Sequence, residues 1–351
     1  MTLYALLRHL GLSVALLLLS AVVVRLMISA RLMDTPETRK MHDKPTPKGG
    51  GVGIVVTFLV GIAFLYRYGE FARLADPYFR GVIEASVAIA IVSMLDDIFD
   101  WPFVIKLGAQ LAAGLVAVAS GIYVGDPHVP YLGPLDLGWI GAGLSLAWIL
   151  FATNAMNFID GMNGLAGGVS LIACLFLALI AQHFGGWFAY ATAGLLAAGL
   201  AGFLPFNFPN ARIFMGDVGS QFCGFVLAML AIVASRFDGV ALSFLVVPML
   251  LSGVLYDVGF TLVRRAIAGE SLARPHRGHL YQVAQRSGAS PIAVTLIHWG
   301  FAVFGGLCCC LFLAVPAAWK PLLVALILPP QFAWTLWVVR RARQAALGRW
   351  G

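Results

Sequence analysis

Leu165-Ala166-Gly167-Gly168-Val169-Ser170-Leu171-Ile172-Ala173-Cys174-Leu175-Phe176-Leu177-Ala178-Leu179-Ile180-Ala181-Gln182 is a stretch of 18 residues without one charged side chain. Coiled as a helix it is about 27 Å long, close to the roughly 30 Å of a bilayer's hydrocarbon core. It reads as a membrane span, and runs like it recur on both sides. Upstream they fall near 3–30, 51–67, 81–95, 104–121 and 138–153; downstream near 188–204, 218–235, 240–263, 292–314 and 321–339. The expectation is an all-α polytopic transmembrane bundle of about eleven spans in a single domain covering 1–351.

Composition agrees. Hydrophobic residues make up 60% of the 351 and charged residues only 11%, against about 25% charged in a soluble domain. Mean hydropathy is +0.90. The net charge of +7 does not indicate nucleic acid, because the basic residues are interspersed among spans, where they report topology first and anionic lipid or phosphate second. Cys174, Cys223 and Cys308-Cys309-Cys310 lie in apolar stretches and show neither metal-type spacing nor a disulfide framework. The first apolar segment runs into a basic loop without a small-residue cleavage site and reads as a retained span.

Sixteen Lys and Arg fall on one set of loops and the C-terminal tail, six on the other, with Arg25 set aside inside the first span. That asymmetry puts the N-terminus outside, the C-terminus inside, and loops near 31–50, 96–103, 154–164, 205–217 and 264–291 in the cytoplasm. The acids gather on the same side. Asp96 and Asp97 end the third span, Asp160 ends the fifth, and Asp217 opens the eighth. Adjacent carboxylates repel unless a cation lies beside them, and a hard divalent ion such as Mg²⁺ takes one or two carboxylates plus water and substrate phosphates.

Around these acids lie polar residues suited to a phosphorylated ligand. Asn154, Asn157 and Asn163 flank Asp160 in Asn-x-x-Asn-x-x-Asp-Gly-x-Asn-Gly, beyond what a helix cap requires. In the 205–217 loop, Asn207 offers groups for a nucleobase edge, Phe206 and Phe214 offer faces for stacking, and Arg212 offers a phosphate contact. In the last loop, His276, Arg277 and His279 form a donor cluster suited to a pyrophosphate. The first loop carries Lys44, Lys48 and the run Gly49-Gly50-Gly51, whose backbone donors near a helix start favour phosphate. His9, His128, His183 and His298 read as structural. Asp257, inside the ninth span, reads as either a packing contact or support for the site.

Taken together, and in this order, His-Asp-Lys-Pro-x-Pro-x-Gly-Gly, the Asp-Asp pair, Asn-x-x-Asn-x-x-Asp-Gly, Phe-Met-Gly-Asp-x-Gly-Ser and the late histidine loop carry a resemblance. From about Arg39 to Gln285 the chain resembles the polyprenyl-phosphate N-acetylhexosamine-1-phosphate transferases. That resemblance implies transfer of a sugar 1-phosphate from a UDP-N-acetylhexosamine to undecaprenyl phosphate at the inner face of the bacterial plasma membrane. It implies Asp96 and Asp97 as the acid pair, Asp217 as the ligand of Mg²⁺ or Mn²⁺, Asn157 and Asp160 as an active-site pair, and Asn207 and Phe214 near the uridine. Asn163 stands where many relatives have a second aspartate. His276-Arg277-Gly278-His279 replaces consecutive histidines, which points away from peptidoglycan enzymes and toward initiators of O-antigen and capsule. A homodimer is compatible with the resemblance. Two rivals remain: a transporter, which would place its acids near the bilayer midplane, and a lipid-phosphate hydrolase.

Overall fold

The computed structural model describes residues 3–34, 45–68, 77–99, 101–126, 136–236, 242–272, 274 and 276–348. Fourteen α-helices carry almost all of the regular structure among them. The one sheet described pairs Met33–Asp34 with Thr46–Pro47, antiparallel, at the foot of the first helix.

The bundle is organised around one helix. α8 (Asp217–Arg236) is apolar all round after its first turn, and its residues from Val218 to Ser235 are buried. It packs against α2 (Gly51–Tyr68), α3 (Pro77–Phe99), α5 (Gly138–Ile159), α6 (Leu165–Phe184) and α7 (Trp187–Asn207). Small residues allow this crowding, as expected where lipid supplies no hydrophobic drive and close van der Waals contact must hold helices together. A Cβ added at Gly51 would lie 2.3 Å from the Gly219 backbone, and one at Gly224 would lie 2.9 Å from Ala152 and Thr153 backbone atoms. α1 (Leu3–Ala30) packs on α2 and α7, where Ser20 Oγ donates to the Gly199 carbonyl at 2.7 Å. Its other face exposes Leu7, Leu10, Val14, Leu18 and Val22, a row suited to lipid.

Eight segments are long and apolar enough to cross a membrane: α1, α2, α5, α6, α7, α8, α12 (Pro291–Ala314) and the stretch Ala317–Gln344. The three other expected spans fall short of that measure for separate reasons. Over its described side chains, from Arg80 onward, α3 carries Arg80, Glu84, Asp96 and Asp97, and α4 (Phe103–Ala119) has only 17 residues. The segment at 240–263 is not one helix. It breaks at Leu251 into α9 (Val246–Leu250) and α10 (Ser252–Ile267). The last apolar stretch also divides, into α13 (Lys320–Ala325) and α14 (Leu328–Gln344), with the pair Pro329-Pro330 opening α14. Proline tolerates a first helical turn and not an interior, so the break falls where the sequence dictates. The short α11 (Leu280–Arg286) lies after α10, under the site.

Candidate active site

The polar ends of α3, α4, α5, α8 and α11 surround a single cavity of about 900 Å³, large enough for a nucleotide-sized ligand. The adjacent Asp96 and Asp97, and Asp160 and Asp217 from distant parts of the sequence, all line it.

Asp217 sits on the first turn of α8 with its carboxylate fully engaged. Oδ1 accepts from Asn157 Nδ2 at 3.0 Å; Oδ2 accepts from Lys106 Nζ at 3.2 Å and Gln221 Nε2 at 3.1 Å. Asp97 approaches from α3 and caps α8 from outside: Asp217 N–H and Val218 N–H donate to its two oxygens at 3.2 and 3.0 Å. Those are orphan donors of a helix start, and a carboxylate is a strong acceptor for them. The preceding Gly216 has φ +76°, and a Cβ there would lie 2.6 Å from Asp97 Oδ2, so glycine is required on both counts. Asp96 takes the Trp101 N–H at 2.9 Å and the Lys106 ammonium at 2.6 Å. Lys106 thus joins the acid pair to Asp217.

Four of the carboxylates lining this cavity perturb each other. Burial and then the neighbouring Asp217 raise Asp96, against the pull of Lys106. Burial and Asp217 raise Asp97 too, although Lys48 stands 3.8 Å away. Asp160, capping the end of α5, is pushed well above the usual carboxylate range by burial, then by Asp217 and Asp97. Burial leads each of these shifts, and the neighbouring carboxylates add to it. The donor set fits a hard divalent ion: carboxylate oxygens on a pocket wall, with room for water and phosphate oxygens. Among the described residues no three His, Cys, Asp or Glu side chains form a closed metal cage, so substrate and water would complete any shell.

On the opposite wall, His279 starts α11 and its Nδ1 lies 3.2 Å from Asp257 Oδ1. His276 stacks on it with ring centroids 4.9 Å apart. Burial and the adjacent His279 lower His276 to about 4, so it is neutral at pH 7. Tyr281 donates its hydroxyl to the Phe158 carbonyl at 3.1 Å, and it packs so tightly on Gly161 that a Cβ there would lie 2.2 Å from Oη.

Asn157, Asn163, Lys48 and Phe214 also line the cavity. The structure places other expected site residues differently. Asn207 reaches the cavity wall, but it is 4% exposed and its amide bonds backbone: it accepts from Gly164 N–H at 2.7 Å and donates to the Ile213 carbonyl at 2.9 Å. The edge expected to meet a nucleobase instead ties two loops together. Arg212 does not line the cavity; it lies over the Phe206 ring at 4.9 Å and donates to the Pro205 carbonyl. Arg277 is likewise outside the lining, while Arg274 is part of it. Within the glycine run, Gly50 and Gly51 donate to the Phe214 and Met215 carbonyls, both at 2.9 Å, so they zip two loops together rather than offering donors to phosphate. Lys44 lies outside the described residues.

Sequence reasoning missed Lys106, which it counted only for topology. It also missed the chain in which Asn154 donates to Gln110 at 2.6 Å and Gln110 to Gln221 at 2.9 Å. The signal was available: Lys106 is the only charged side chain in α4.

Residues 79–235 match the model of the family described as glycosyl transferase family 4. The chain is 30% identical over 276 residues to a probable undecaprenyl-phosphate N-acetylglucosaminyl 1-phosphate transferase of Bacillus subtilis, covering 78% of this chain and 75% of that one. It is 32% identical over 309 residues to a decaprenyl-phosphate N-acetylglucosaminephosphotransferase of Mycobacterium tuberculosis, covering 80% and 76%. An undecaprenyl-phosphate alpha-N-acetylglucosaminyl 1-phosphate transferase of Thermotoga maritima is 29% identical over 259 residues, covering 72% and 73%.

Proposed function

The chain belongs to glycosyl transferase family 4, the polyprenyl-phosphate N-acetylhexosamine-1-phosphate transferases, and we propose that it moves N-acetylglucosamine 1-phosphate from UDP-N-acetylglucosamine to undecaprenyl phosphate. One observation carries this reading: Asp217, Asp97, Asp96 and Asp160 share one cavity with Lys106 and Lys48, at the helix ends that charge asymmetry assigns to the cytoplasm. A soluble diphosphate donor and a lipid-borne acceptor meet at such an interface.

In this reaction a phosphate oxygen of the lipid attacks the β-phosphorus of the donor. The bond from that phosphorus to the bridging oxygen breaks, UMP leaves, and the sugar stays on a polyprenyl diphosphate. Phosphoryl transfer depends mostly on positioning and charge stabilisation. Lys48, Lys106 and Arg274 hold phosphate oxygens. Asp97 fixes Asp217 through the start of α8, and Asp96 orients the acceptor. The acceptor, with a second pKa near 6, is mostly a dianion at neutral pH and needs little help from a base. Asp217 would hold Mg²⁺ or Mn²⁺, which would supply charge to offset the diphosphate. The product would start O-antigen or a related surface polysaccharide in a bacterial inner membrane.

The test is incubation of purified protein with labelled UDP-N-acetylglucosamine, undecaprenyl phosphate and Mg²⁺. Equal amounts of UMP and labelled lipid are expected. Release of inorganic phosphate alone would favour a lipid-phosphate hydrolase, and uptake into vesicles with neither product would favour a carrier.

A further inference from the structure

We infer that Asp257, buried in α10, is a positioning residue that fixes the start of α11 and holds His279 with its hydrogen on Nδ1, leaving Nε2 as the nitrogen available to the cavity. Its kinetic consequence rests on the transferase reading; its structural consequence does not.

The contacts converge on one side chain. Asp257 is 1% exposed. Its Oδ1 accepts the Leu280 N–H at 2.9 Å and lies 3.2 Å from His279 Nδ1; its Oδ2 accepts the Tyr281 N–H at 3.0 Å. Thr261 Oγ1 stands 3.4 Å from Oδ1, and on the far side His298 Nε2 stands 3.9 Å from Oδ2. A carboxylate has no hydrogen to give, so the histidine nitrogen facing it must carry one. In the neutral ring Nε2 is then bare: it accepts, and donates only after binding a proton. His279 lines the cavity with His276 stacked on it, so this choice of tautomer is presented to whatever occupies the site.

Packing alone does not call for an acid here. A buried carboxylate is costly unless paired, and α11 has only seven residues, so a serine or asparagine would suffice to cap it. What an acid adds is a second oxygen, so that both backbone donors and the ring N–H are held together. Asp97 does the same for the start of α8, with Asp217 carried on the turn it caps. In both cases a buried acid on one helix aims a functional residue at the start of another.

The experiment uses full-length protein labelled with ¹⁵N-histidine in detergent micelles, with the His279 resonances assigned through His279→Gln. The Nδ1–H form is expected in the wild type. Asp257→Asn keeps the shape but offers a single oxygen, so it should move His279 toward the Nε2–H form. In the transfer assay it should lower kcat about 10–100-fold, by analogy with metal-bound histidines that lose an orienting partner. KM for UDP-N-acetylglucosamine should stay within about threefold of wild type, because the change leaves phosphate binding alone. A wild-type His279 in the Nε2–H form would overturn the assignment, and so would near-normal kcat in Asp257→Asn. If that variant does not fold, the wild-type spectrum alone decides. If no UMP forms while His279 has its hydrogen on Nδ1, the transferase reading fails and the positioning assignment stands.

Discussion

Replacing Gly216 by alanine tests whether the Asp97–Asp217 geometry is as rigid as the contacts require. The residue has φ +76°, where an L side chain costs about 1–2 kcal/mol. The new Cβ would sit 2.6 Å from Asp97 Oδ2 and 3.1 Å from Oδ1. To reach ordinary contact the carboxylate must retreat by about 0.8 Å, which stretches its bond from Val218 N–H, now 3.0 Å, beyond hydrogen-bonding range. Losing a hydrogen bond to a charged acceptor costs about 1.5–3 kcal/mol. The sum is about 2.5–5 kcal/mol, concentrated at the turn that carries Asp217. A shift of about 1 Å at a catalytic group lowers rate on the order of 10²-fold. Gly216→Ala should therefore unfold several degrees earlier in detergent and release UMP at least about 100-fold more slowly. Gly194→Ala in α7, where a Cβ meets nothing within 4 Å, serves as the control and should be nearly silent. If Gly216→Ala retained half of the wild-type rate and its melting temperature, the proposed coupling of Asp97 to Asp217 through the α8 terminus would be wrong.

Asp217→Asn should abolish Mg²⁺-dependent transfer while leaving the melting temperature within a few degrees; near-normal transfer would remove Asp217 from the metal site. Asn207→Ala should lower stability by about 1–3 kcal/mol, since it strips partners from Gly164 and Ile213; a large rise in KM for the nucleotide sugar with unchanged melting would instead restore Asn207 as a direct ligand. Arg212→Ala should change KM less than about twofold, because Arg212 lies on Phe206 away from the cavity. His276 predicts a pH effect. Its folded pKa of about 4 lies below the ordinary value of 6.5, so the folded state resists protonation, and stability present above about pH 6.5 is lost as pH falls toward 4. His276→Gln should lose less than wild type between pH 7 and 5 in thermal scans, and equal losses would contradict this.

The spans were legible because apolar runs of about 18 residues have few alternatives to crossing a bilayer. Breaks inside such runs were not. Hydropathy alone does not show that 240–263 divides at Leu251, and the pair Pro329-Pro330, which opens α14, was a readable signal left unread. Gathering of the acids was legible from charge, since Asp96, Asp97, Asp160 and Asp217 all end or begin helices on the basic side. What failed was the step from residue type to direction. Asn207 and Gly50-Gly51 have the right chemistry for a ligand, yet in the fold they bond neighbouring loops, and Gly51 is small because α8 crosses there at Gly219. Lys106 was overlooked for the opposite reason: a basic residue near a span end has a sufficient explanation in topology, and only a three-dimensional contact shows its ammonium between Asp96 and Asp217.

The placement of Asp217 explains how so polar a site keeps its shape. α8 is surrounded by six helices, α9 among them, and buried along nearly its whole length, so its first turn cannot shift without repacking the bundle's centre. The chemistry sits where that helix emerges, on the turn bonded by Asp97 from α3, by Asn157 from α5 and by Lys106 from α4. α3 and α5, which pack α8 sideways most extensively, also supply polar groups to its end, so there packing and positioning are the same set of contacts. The α11 wall is built differently. It hangs from a seven-residue helix, and a single buried acid accepts its first two N–H groups.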